Sequence, residues 1–338
     1  MVNNRKSSST LFVETYRSEV LYNNTMSRPL YRDLNTALRE RFGCRVQKIS
    51  LDAGLTCPNR DGRVGLGGCI YCNPLGSGTG ASRYQSITDQ LEAGKAYLAR
   101  RYKARKFIAY FQSFSNTYAP IGTLRRLYEE ALSVPDIVGL TIGTRPDCVE
   151  DPVLDLVTEV GQRAYVLMEY GLQSAHDRTL RVINRGHTVE AFRNAVVRTR
   201  ERGLDVCVHV ILGLPGEDKT DMLETARTLG AMDIQAIKIH LLYVIRDTPL
   251  HGLYDRGDYV CLSREAYVDI VCDFLALLPP HVIIHRLTGD PHREEFVAPR
   301  WALEKQTNLR MIRETLRARG VWQGKACAGS GEQGSIRI

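Results

Sequence analysis

Short apolar runs rich in β-branched residues alternate with amphipathic segments through most of the chain, and this alternation constrains the fold more than any other feature of the sequence. The six strand candidates lie near residues 48–52, 107–111, 137–142, 165–169, 206–212 and 236–242. The segments with helical spacing between them lie near residues 87–103, 123–133, 151–162, 188–203 and 218–231. Regular alternation of strands and helices predicts a parallel sheet covered by helices.

Six strand–helix units favour an open, partial (β/α)6 barrel over a doubly wound sheet, although the periodicity is compatible with both. In either arrangement, the carboxyl ends of the parallel strands meet at one edge of the sheet. We therefore predict an α/β fold whose functional residues follow the carboxyl ends of the strands.

The two ends of the chain differ from this middle region. Residues 1–25 are polar and show no hydrophobic period, and residues 329–338 are rich in Gly and Ser, so we predict a flexible extension at each end. The partial barrel is expected to occupy residues 26–290. Residues 291–328 are expected to form a helical extension packed on the barrel, because a helix near 299–319 carries the apolar stripe Leu309, Ile312 and Leu316.

The composition excludes several classes of protein. With 43% hydrophobic and 25% charged residues among 338, the chain can bury a large core, so disorder is excluded as its main state. No run of about 18 apolar residues is present and the N-terminus lacks an apolar export signal, so we expect a cytoplasmic enzyme without a membrane span. The formal net charge of +7 permits an anionic partner without requiring one.

Three of the nine cysteines fall within sixteen residues, directly after the first strand candidate. Cys57, Cys69 and Cys72 form a C-x11-C-x2-C array whose interior glycines let a loop wrap around a compact group. In a reducing cytosol such thiols are metal ligands more often than disulfides. Structural zinc takes four protein ligands, whereas three thiolates suit a [4Fe–4S] cluster whose fourth iron stays open. A zinc knuckle completed by a distant residue is the alternative.

The array, with Tyr71 just before its last cysteine, resembles the signature of radical S-adenosylmethionine (SAM) enzymes. The surrounding segment Leu51-Asp-Ala-Gly-Leu-Thr-Cys-Pro-Asn-Arg-Asp-Gly more narrowly resembles the YhcC/YtqA-type branch, which is similar to the Elongator catalytic subunit in its radical domain. The gap of eleven residues, instead of the usual three, is typical of this branch. The resemblance runs from about residue 30 to 325, and its further segments are 108–113, 116–120, 142–147, 169–176, 184–187, 213–217, 238–240 and 286–290.

The resemblance implies a [4Fe–4S] cluster held by the three cysteines, and SAM bound along the strand ends. The residues it implies for contact with SAM are Tyr71, Gln112, Ser113, Glu169, Gln173, Ser174, Gly213 and Leu214. The Gly-Gly-Glu sequence with which the family often binds the methionine amino group is absent at Gln112. Glu169, expected at the end of the fourth strand, is alternatively a structural ion-pair partner, and the Gly213 segment is also compatible with a plain strand-to-helix turn.

Polar residues on the sixth strand predict a substrate-binding role. Alternation places Lys238 and His240 on one side of the strand, and two cations inside a barrel are costly unless an anion meets them. We therefore expect both, together with Arg145 after the third strand, to bind a phosphate or carboxylate of the substrate. Pairing of Lys238 with Glu169 across the barrel is the alternative.

Basic residues form three clusters, which suit either phosphates or solvated helix faces. They are Arg39, Arg41, Arg45 and Lys48; Lys95, Arg100, Arg101, Lys103, Arg105 and Lys106; and Arg310, Arg313, Arg317 and Arg319. No separate RNA-binding module or acetyltransferase half is recognisable, and the other six cysteines form no second cluster motif, which leaves hydrogen abstraction as the expected chemistry.

The resemblance implies a transfer RNA (tRNA) substrate, modified at the side chain of a wobble uridine, where a radical would remove or remodel a carboxymethylaminomethyl group. It also implies an electron donor such as flavodoxin or ferredoxin. Two alternatives stay open at this point: radical chemistry on a small molecule, such as an oxidative decarboxylation, and a non-enzymatic iron–sulfur or zinc protein.

Overall fold

The computed structural model describes residues 28–74, 76 and 85–327, so the extensions predicted for residues 1–25 and 329–338 lie outside the described residues. Seven parallel strands form a half-barrel sheet in the spatial order β1-β2-β3-β4-β5-β6-β8. They are β1 (Val46–Leu51), β2 (Lys106–Phe111), β3 (Ile137–Thr144), β4 (Tyr165–Gln173), β5 (Asp205–Leu212), β6 (Ala236–Leu241) and β8 (Ile283–Arg286). This confirms the prediction of a partial α/β barrel and adds a seventh parallel strand.

The barrel stays open because β1 and β8 form the two edges of the sheet. Arg32 and Asp33 lie along the outer edge of β8, where the Ile284 amide donates to the Arg32 carbonyl at 2.8 Å. Two further short strands, β7 (Val244–Ile245) and β9 (Phe296–Ala298), pair antiparallel beyond the carboxyl end of β6. Protection of the β8 edge by residues 32–33 limits its pairing with other chains.

Helices connect the strands and cover the outer face of the sheet. They are α1 (Leu34–Phe42), α2 (Ile87–Tyr102), α3 (Ile121–Ser133), α4 (Asp151–Gly161), α5 (Asp177–Val182), α6 (Val189–Glu201), α7 (Lys219–Gly230), α8 (Pro249–Asp255), α9 (Arg264–Leu277) and α10 (Lys305–Ala318). The boundaries of α6 follow the sequence signals: the Thr188 side chain accepts a hydrogen bond from the Ala191 amide, and Gly203 adopts a left-handed φ of 74°.

Alternation along the strands separates a packed face from a polar one. On β6, Ile237 and Ile239 are buried in the main core against the helices, whereas Lys238 and His240 face the barrel interior. The predicted alternation along this strand is therefore confirmed, whereas the substrate-binding role of Lys238 and His240 stays a prediction. Because each strand sends its polar residues to the same interior, that interior collects side chains that are far apart in the sequence.

The C-terminal segment packs on this barrel through its apolar stripe. Ile312 and Leu316 of α10 are fully buried in the main core, and Leu309 is partly buried against it. Among the described residues, no helix is both long enough and apolar enough to cross a membrane.

The basic clusters at the start of the chain and on α2 divide between two places. Arg45 and Arg105 immediately precede β1 and β2, so the residues around them lie at the amino ends of the strands. Lys48 does not belong to this surface: it points into the barrel, with its side chain 13% exposed. The prediction that grouped Lys48 with surface cations is wrong, because strand alternation turns it inward.

Candidate active site

A cavity of about 260 Å³ lies at the carboxyl ends of the strands and continues into the barrel interior. Its walls hold most of the site residues predicted from the sequence, which are Cys57, Cys69, Tyr71, Cys72, Gln112, Arg145, Glu169, Gln173, Lys238 and His240. The location confirms the prediction that polar residues following parallel strands share one edge of the sheet.

A compact loop forms the cysteine wall of the cavity. The Cys57 carbonyl accepts from the Arg60 amide at 2.9 Å, and the Cys69 carbonyl accepts from the Cys72 amide at 3.0 Å, so each end of the loop is a tight turn. Gly68 has a φ of 82°, and a Cβ there would lie 3.0 Å from the Arg60 guanidinium. Arg60 in turn donates to the Asn73 carbonyl at 2.5 Å. Backbone contacts and one arginine thus hold the three thiols against the same cavity.

Cys69 has the surroundings of a metal-binding thiolate. Its sulfur is buried and accepts from Arg185 Nη1 at 3.6 Å and from Asn59 Nδ2 at 3.8 Å. The hydrogen bond with Cys72 and the nearby Arg185 guanidinium lower the pKa of the Cys69 thiol well below its usual range, against the opposing effect of burial. A thiolate is the form that binds iron.

Arg185 lies beside the cysteine wall, and the sequence analysis did not assign it a role. Its Nη2 and Nε donate to the Gly171 carbonyl at 2.7 and 3.3 Å, which fixes the guanidinium beside the Cys69 sulfur. A Cβ at Gly171 would lie 2.6 Å from Arg185 Nη2, so only glycine leaves room for this approach. The signal for Arg185 was the segment Asn184-Arg-Gly-His, which the resemblance includes without giving it a role.

Gln173 occupies a strained position at the end of β4. It is the last residue of the strand and not a residue of the following loop, and its φ of 77° is unusual for a residue other than glycine. The pairing of β4 with β5 shifts register between Gly171 and Gln173. The buried Oε1 of Gln173 has no hydrogen-bond partner among the described residues. Strain and an unpaired polar atom at a cavity wall are typical of binding sites.

Glu169 lies deeper than predicted. It is in the middle of β4, because the strand continues to Gln173, and its side chain is fully buried. Its carboxylate accepts from Lys48 Nζ at 2.8 Å, Lys238 Nζ at 2.6 Å and His209 Nε2 at 2.9 Å. Burial would raise the pKa of Glu169, but Lys238 and Lys48 lower it well below its usual value. The placement at the strand end is wrong, and the alternative of a Lys238–Glu169 pair across the barrel is confirmed.

The two residues predicted as substrate cations beside Lys238 also differ from expectation. Arg145 binds the Asp147 carboxylate through Nε at 2.9 Å and Nη2 at 2.8 Å, and Nη1 donates to the Arg185 carbonyl at 2.7 Å. Burial lowers the pKa of His240 well below its usual value, so this ring is neutral near pH 7 and not a cation. Its buried Nε2 has no partner among residues that the structure describes.

Four predicted SAM contacts lie outside the cavity walls: Ser113, Ser174, Gly213 and Leu214. The Ser174 hydroxyl donates to the Glu217 carboxylate. Leu214 is buried in a second apolar cluster, and the Gly213 carbonyl accepts from the Tyr259 hydroxyl at 2.9 Å. These residues shape the turns around the cavity, and their contact with SAM stays a prediction.

Profiles of two protein families match the chain. The Radical SAM superfamily profile covers residues 57–229, and the Radical SAM C-terminal domain profile covers residues 234–318. The uncharacterized protein YtqA of Bacillus subtilis is 44% identical over 305 residues, which are 90% of this chain and 94% of YtqA. The chain belongs to the radical SAM superfamily. Protein YhcC of Escherichia coli is 39% identical over 290 residues, which are 86% of this chain and 93% of YhcC.

The fold has a counterpart among solved structures. The structure of archaeal Methanocaldococcus infernus Elp3 superposes with a TM-score of 0.63 at 17% identity, covering 82% of this chain and 64% of that chain. Radical SAM enzymes use a [4Fe–4S] cluster and SAM, and they need a reductant and a substrate.

The described residues fit these cofactors. Three thiols share one wall, and one of them accepts a hydrogen bond from Arg185. The unpaired polar atoms of Gln173 and His240 face the same space. A three-cysteine donor set suits a [4Fe–4S] cluster with one open iron.

Proposed function

We propose that this radical SAM enzyme remodels the side chain of a wobble uridine in tRNA, with a carboxymethylaminomethyl group as the reacting part. The observation that carries the proposal is a single cavity that joins the cysteine wall to a barrel interior rich in cations. The choice of RNA as the substrate rests on the resemblance to the radical domain of the Elongator catalytic subunit.

The cysteine wall would hold both cofactors. Cys57, Cys69 and Cys72 would bind three irons of the cluster, and Gln112 and Gln173 would contact polar atoms of SAM at the strand ends. When bound and reduced, the cluster supplies the electron that cleaves SAM into methionine and a 5′-deoxyadenosyl radical.

The barrel interior supports an anionic substrate group. Two buried cations, Lys48 and Lys238, share one carboxylate, that of Glu169, and Arg286 lines the same cavity together with Asp290 and Glu295. Burial lowers the pKa of the neighbouring His209 to about 4, so this ring adds no charge near pH 7. An excess of buried positive charge favours a ligand that carries a carboxylate.

The roles inside the cavity follow from these contacts. Glu169 would orient both lysine ammonium groups and limit their mutual repulsion. The Tyr110 hydroxyl accepts a hydrogen bond from Lys238 Nζ at 2.9 Å. Tyr110 would thus fix the position of that ammonium group in the barrel interior. Together these residues would hold the anionic group of the substrate in the barrel interior, with its reacting C–H bond directed toward the cofactors at the cysteine wall.

The basic clusters around Arg45 and Arg105 do not support the proposal. They lie at the amino ends of the strands, which is the end of the barrel opposite the cavity. Any contact of the tRNA body near the reacting base must use residues on the carboxyl-end side.

The test is a conversion assay on tRNA. Holoenzyme reconstituted without oxygen is reduced, given SAM and incubated with tRNA that carries carboxymethylaminomethyluridine at the wobble position, and the nucleosides are analysed by mass spectrometry. We expect loss of that nucleoside with equivalent formation of 5′-deoxyadenosine, and neither with Cys69→Ala. An unchanged tRNA, with 5′-deoxyadenosine formed only in the presence of a small-molecule extract, would favour the small-molecule alternative.

A further inference from the structure

Arg286 differs from every other cation of the cavity in its electrostatic surroundings. It is the last residue of β8 and lines the cavity. Within residues 28–74, 76 and 85–327, its guanidinium makes no ion pair and no hydrogen bond. By contrast, Lys238 is paired with Glu169, and Arg145 is paired with Asp147. Lys238 and Arg145, which were predicted to bind the substrate, are thus each paired with a carboxylate. Arg286, which has no such pair among the described residues, was not predicted.

The sheet holds Arg286 next to a second cation. Lys238 and Arg286 are register partners in the pairing of β6 with β8, and this pairing shifts register between Ile237 and Lys238. Glu169 is the carboxylate that compensates Lys238, and it is also shared with Lys48. Two other carboxylates line the cavity, but Asp290 is paired with Lys305, and that of Glu295 accepts from Asn73 Nδ2 at 2.5 Å. Among the described residues, neither forms an ion pair with Arg286. Two adjacent cations with one shared acid favour a bound anion, and the planar fork of arginine suits a carboxylate.

An aromatic ring flanks this position. Tyr243 lines the same cavity, and a Cβ at Gly289 would lie 2.7 Å from its ring, so glycine is needed for the ring to occupy this place. The centroid of the Tyr243 ring lies 6.1 Å from that of Phe296 on β9, so the two rings pack together. An aromatic side chain at a cavity wall offers a stacking surface for an unpaired base.

We infer that Arg286 binds the carboxylate of an anionic side chain on the substrate base, while Tyr243 stacks against that base. The inference rests on the proposed function and adds the groups that select the substrate. It assigns selection to Arg286 at the end of β8 and to Tyr243 in the same cavity.

The test measures equilibrium binding of two nucleosides to the reconstituted holoenzyme with SAM present. The probes are 5-carboxymethylaminomethyluridine and 5-aminomethyluridine, which differ by the carboxymethyl group. We expect the wild type to prefer the carboxylate-bearing nucleoside by about tenfold or more, because a charge-assisted bidentate contact is worth that much. Arg286→Ala should erase the preference, and Arg286→Lys should retain part of it.

Matched variants separate selection for the carboxylate-bearing nucleoside from general effects on folding and binding. Arg293→Ala removes an exposed arginine nearby and should leave the preference unchanged. Tyr243→Ala should weaken both nucleosides equally, whereas Tyr243→Phe should weaken neither. Iron content and circular dichroism report on folding, and Arg286→Ala should match the wild type in both.

The outcomes distinguish this inference from the proposed function. Equal binding of the two nucleosides by the wild type, or an intact preference in Arg286→Ala, would overturn the role of Arg286. A clear preference that depends on Arg286, combined with no conversion of tRNA by the wild type, would overturn the proposed tRNA reaction while leaving the anion site in place.

Discussion

The cysteine wall and the barrel interior face the same cavity but are built in opposite ways. At the cysteine wall, sixteen consecutive residues bring Cys57, Cys69 and Cys72 together, and backbone carbonyls fix the arginines around them. In the interior, Lys48, Glu169 and other charged groups come from different strands and are held by one another. The wall therefore depends on a local loop, whereas the interior depends on the register and curvature of the whole sheet. Variants of the two regions should fail differently.

The largest effect is expected at the cysteine wall. Cys57→Ala, Cys69→Ala or Cys72→Ala should each abolish cluster absorbance and SAM cleavage, because two thiolates do not hold a [4Fe–4S] cluster. Folding should persist, since the loop contributes little to the main core. Iron content and 5′-deoxyadenosine formation are the measurements. Cys44→Ala, at a half-buried thiol outside the cavity, is the control and should keep four irons per chain. A cluster retained in any of the three variants would remove that cysteine from the ligand set.

The interior should respond through stability. Glu169→Gln leaves the ammonium groups of Lys48 and Lys238 buried without a counter-ion, so we expect a loss of about 3–5 kcal/mol in the free energy of unfolding. Adding Lys238→Met should recover part of this loss, because one unpaired charge is removed. Urea unfolding measures both. The control is Glu159→Gln at an exposed pair with Arg125, where little change is expected. Equal stability of Glu169→Gln and the control would show that the interior is hydrated and does not depend on this carboxylate.

A smaller effect is expected at the cysteine wall, in the midpoint reduction potential of the cluster. Arg185 donates to the Cys69 sulfur, and a nearby positive charge favours the reduced, more negative cluster. Arg185→Gln should therefore shift the midpoint potential to more negative values, with the iron content retained. Redox titration followed by electron paramagnetic resonance measures the shift. Arg181→Gln, at an exposed arginine four residues earlier, should leave the potential unchanged. Identical potentials in all three proteins would confine Arg185 to a purely structural role.

The smallest effect is a pH dependence confined to the interior. Burial lowers the pKa of Lys238 to about 8, while Glu169 opposes the shift. As the pH rises through 8, Lys238 loses its charge, whereas Arg286 remains charged. The KM for tRNA that bears an anionic wobble side chain should therefore rise. Steady-state kinetics between pH 7 and 9 would show it, and Lys238→Met should flatten the profile. A profile that is the same in both proteins would assign the titration to another group.

Much of the fold and of the cysteine wall could be predicted because both depend on local sequence. The strand–helix alternation predicted six strands, and the β6 pattern correctly placed Lys238 and His240 in the interior. The seventh strand, β8, has only four residues, too few for a clear period.

The interior could be predicted only in part, because its contacts depend on sheet geometry. Glu169 interrupts an apolar run and was read as the end of a strand, whereas the parallel pairing continues past it to Gln173. Strand pairing alone brings Lys48 to Glu169, 121 residues away in sequence. Among the residues that the structure describes, Arg286 has no counter-ion, and no local sequence signal indicates this.

The most direct test of the account is 5′-deoxyadenosine formation by the reconstituted, reduced holoenzyme with SAM, measured with and without tRNA. The account predicts that the nucleoside forms and that tRNA bearing a carboxymethylaminomethyl group increases its rate. If no 5′-deoxyadenosine forms under either condition, although the chain carries a full complement of four irons, the cavity does not perform radical SAM chemistry on tRNA and the central claim is contradicted.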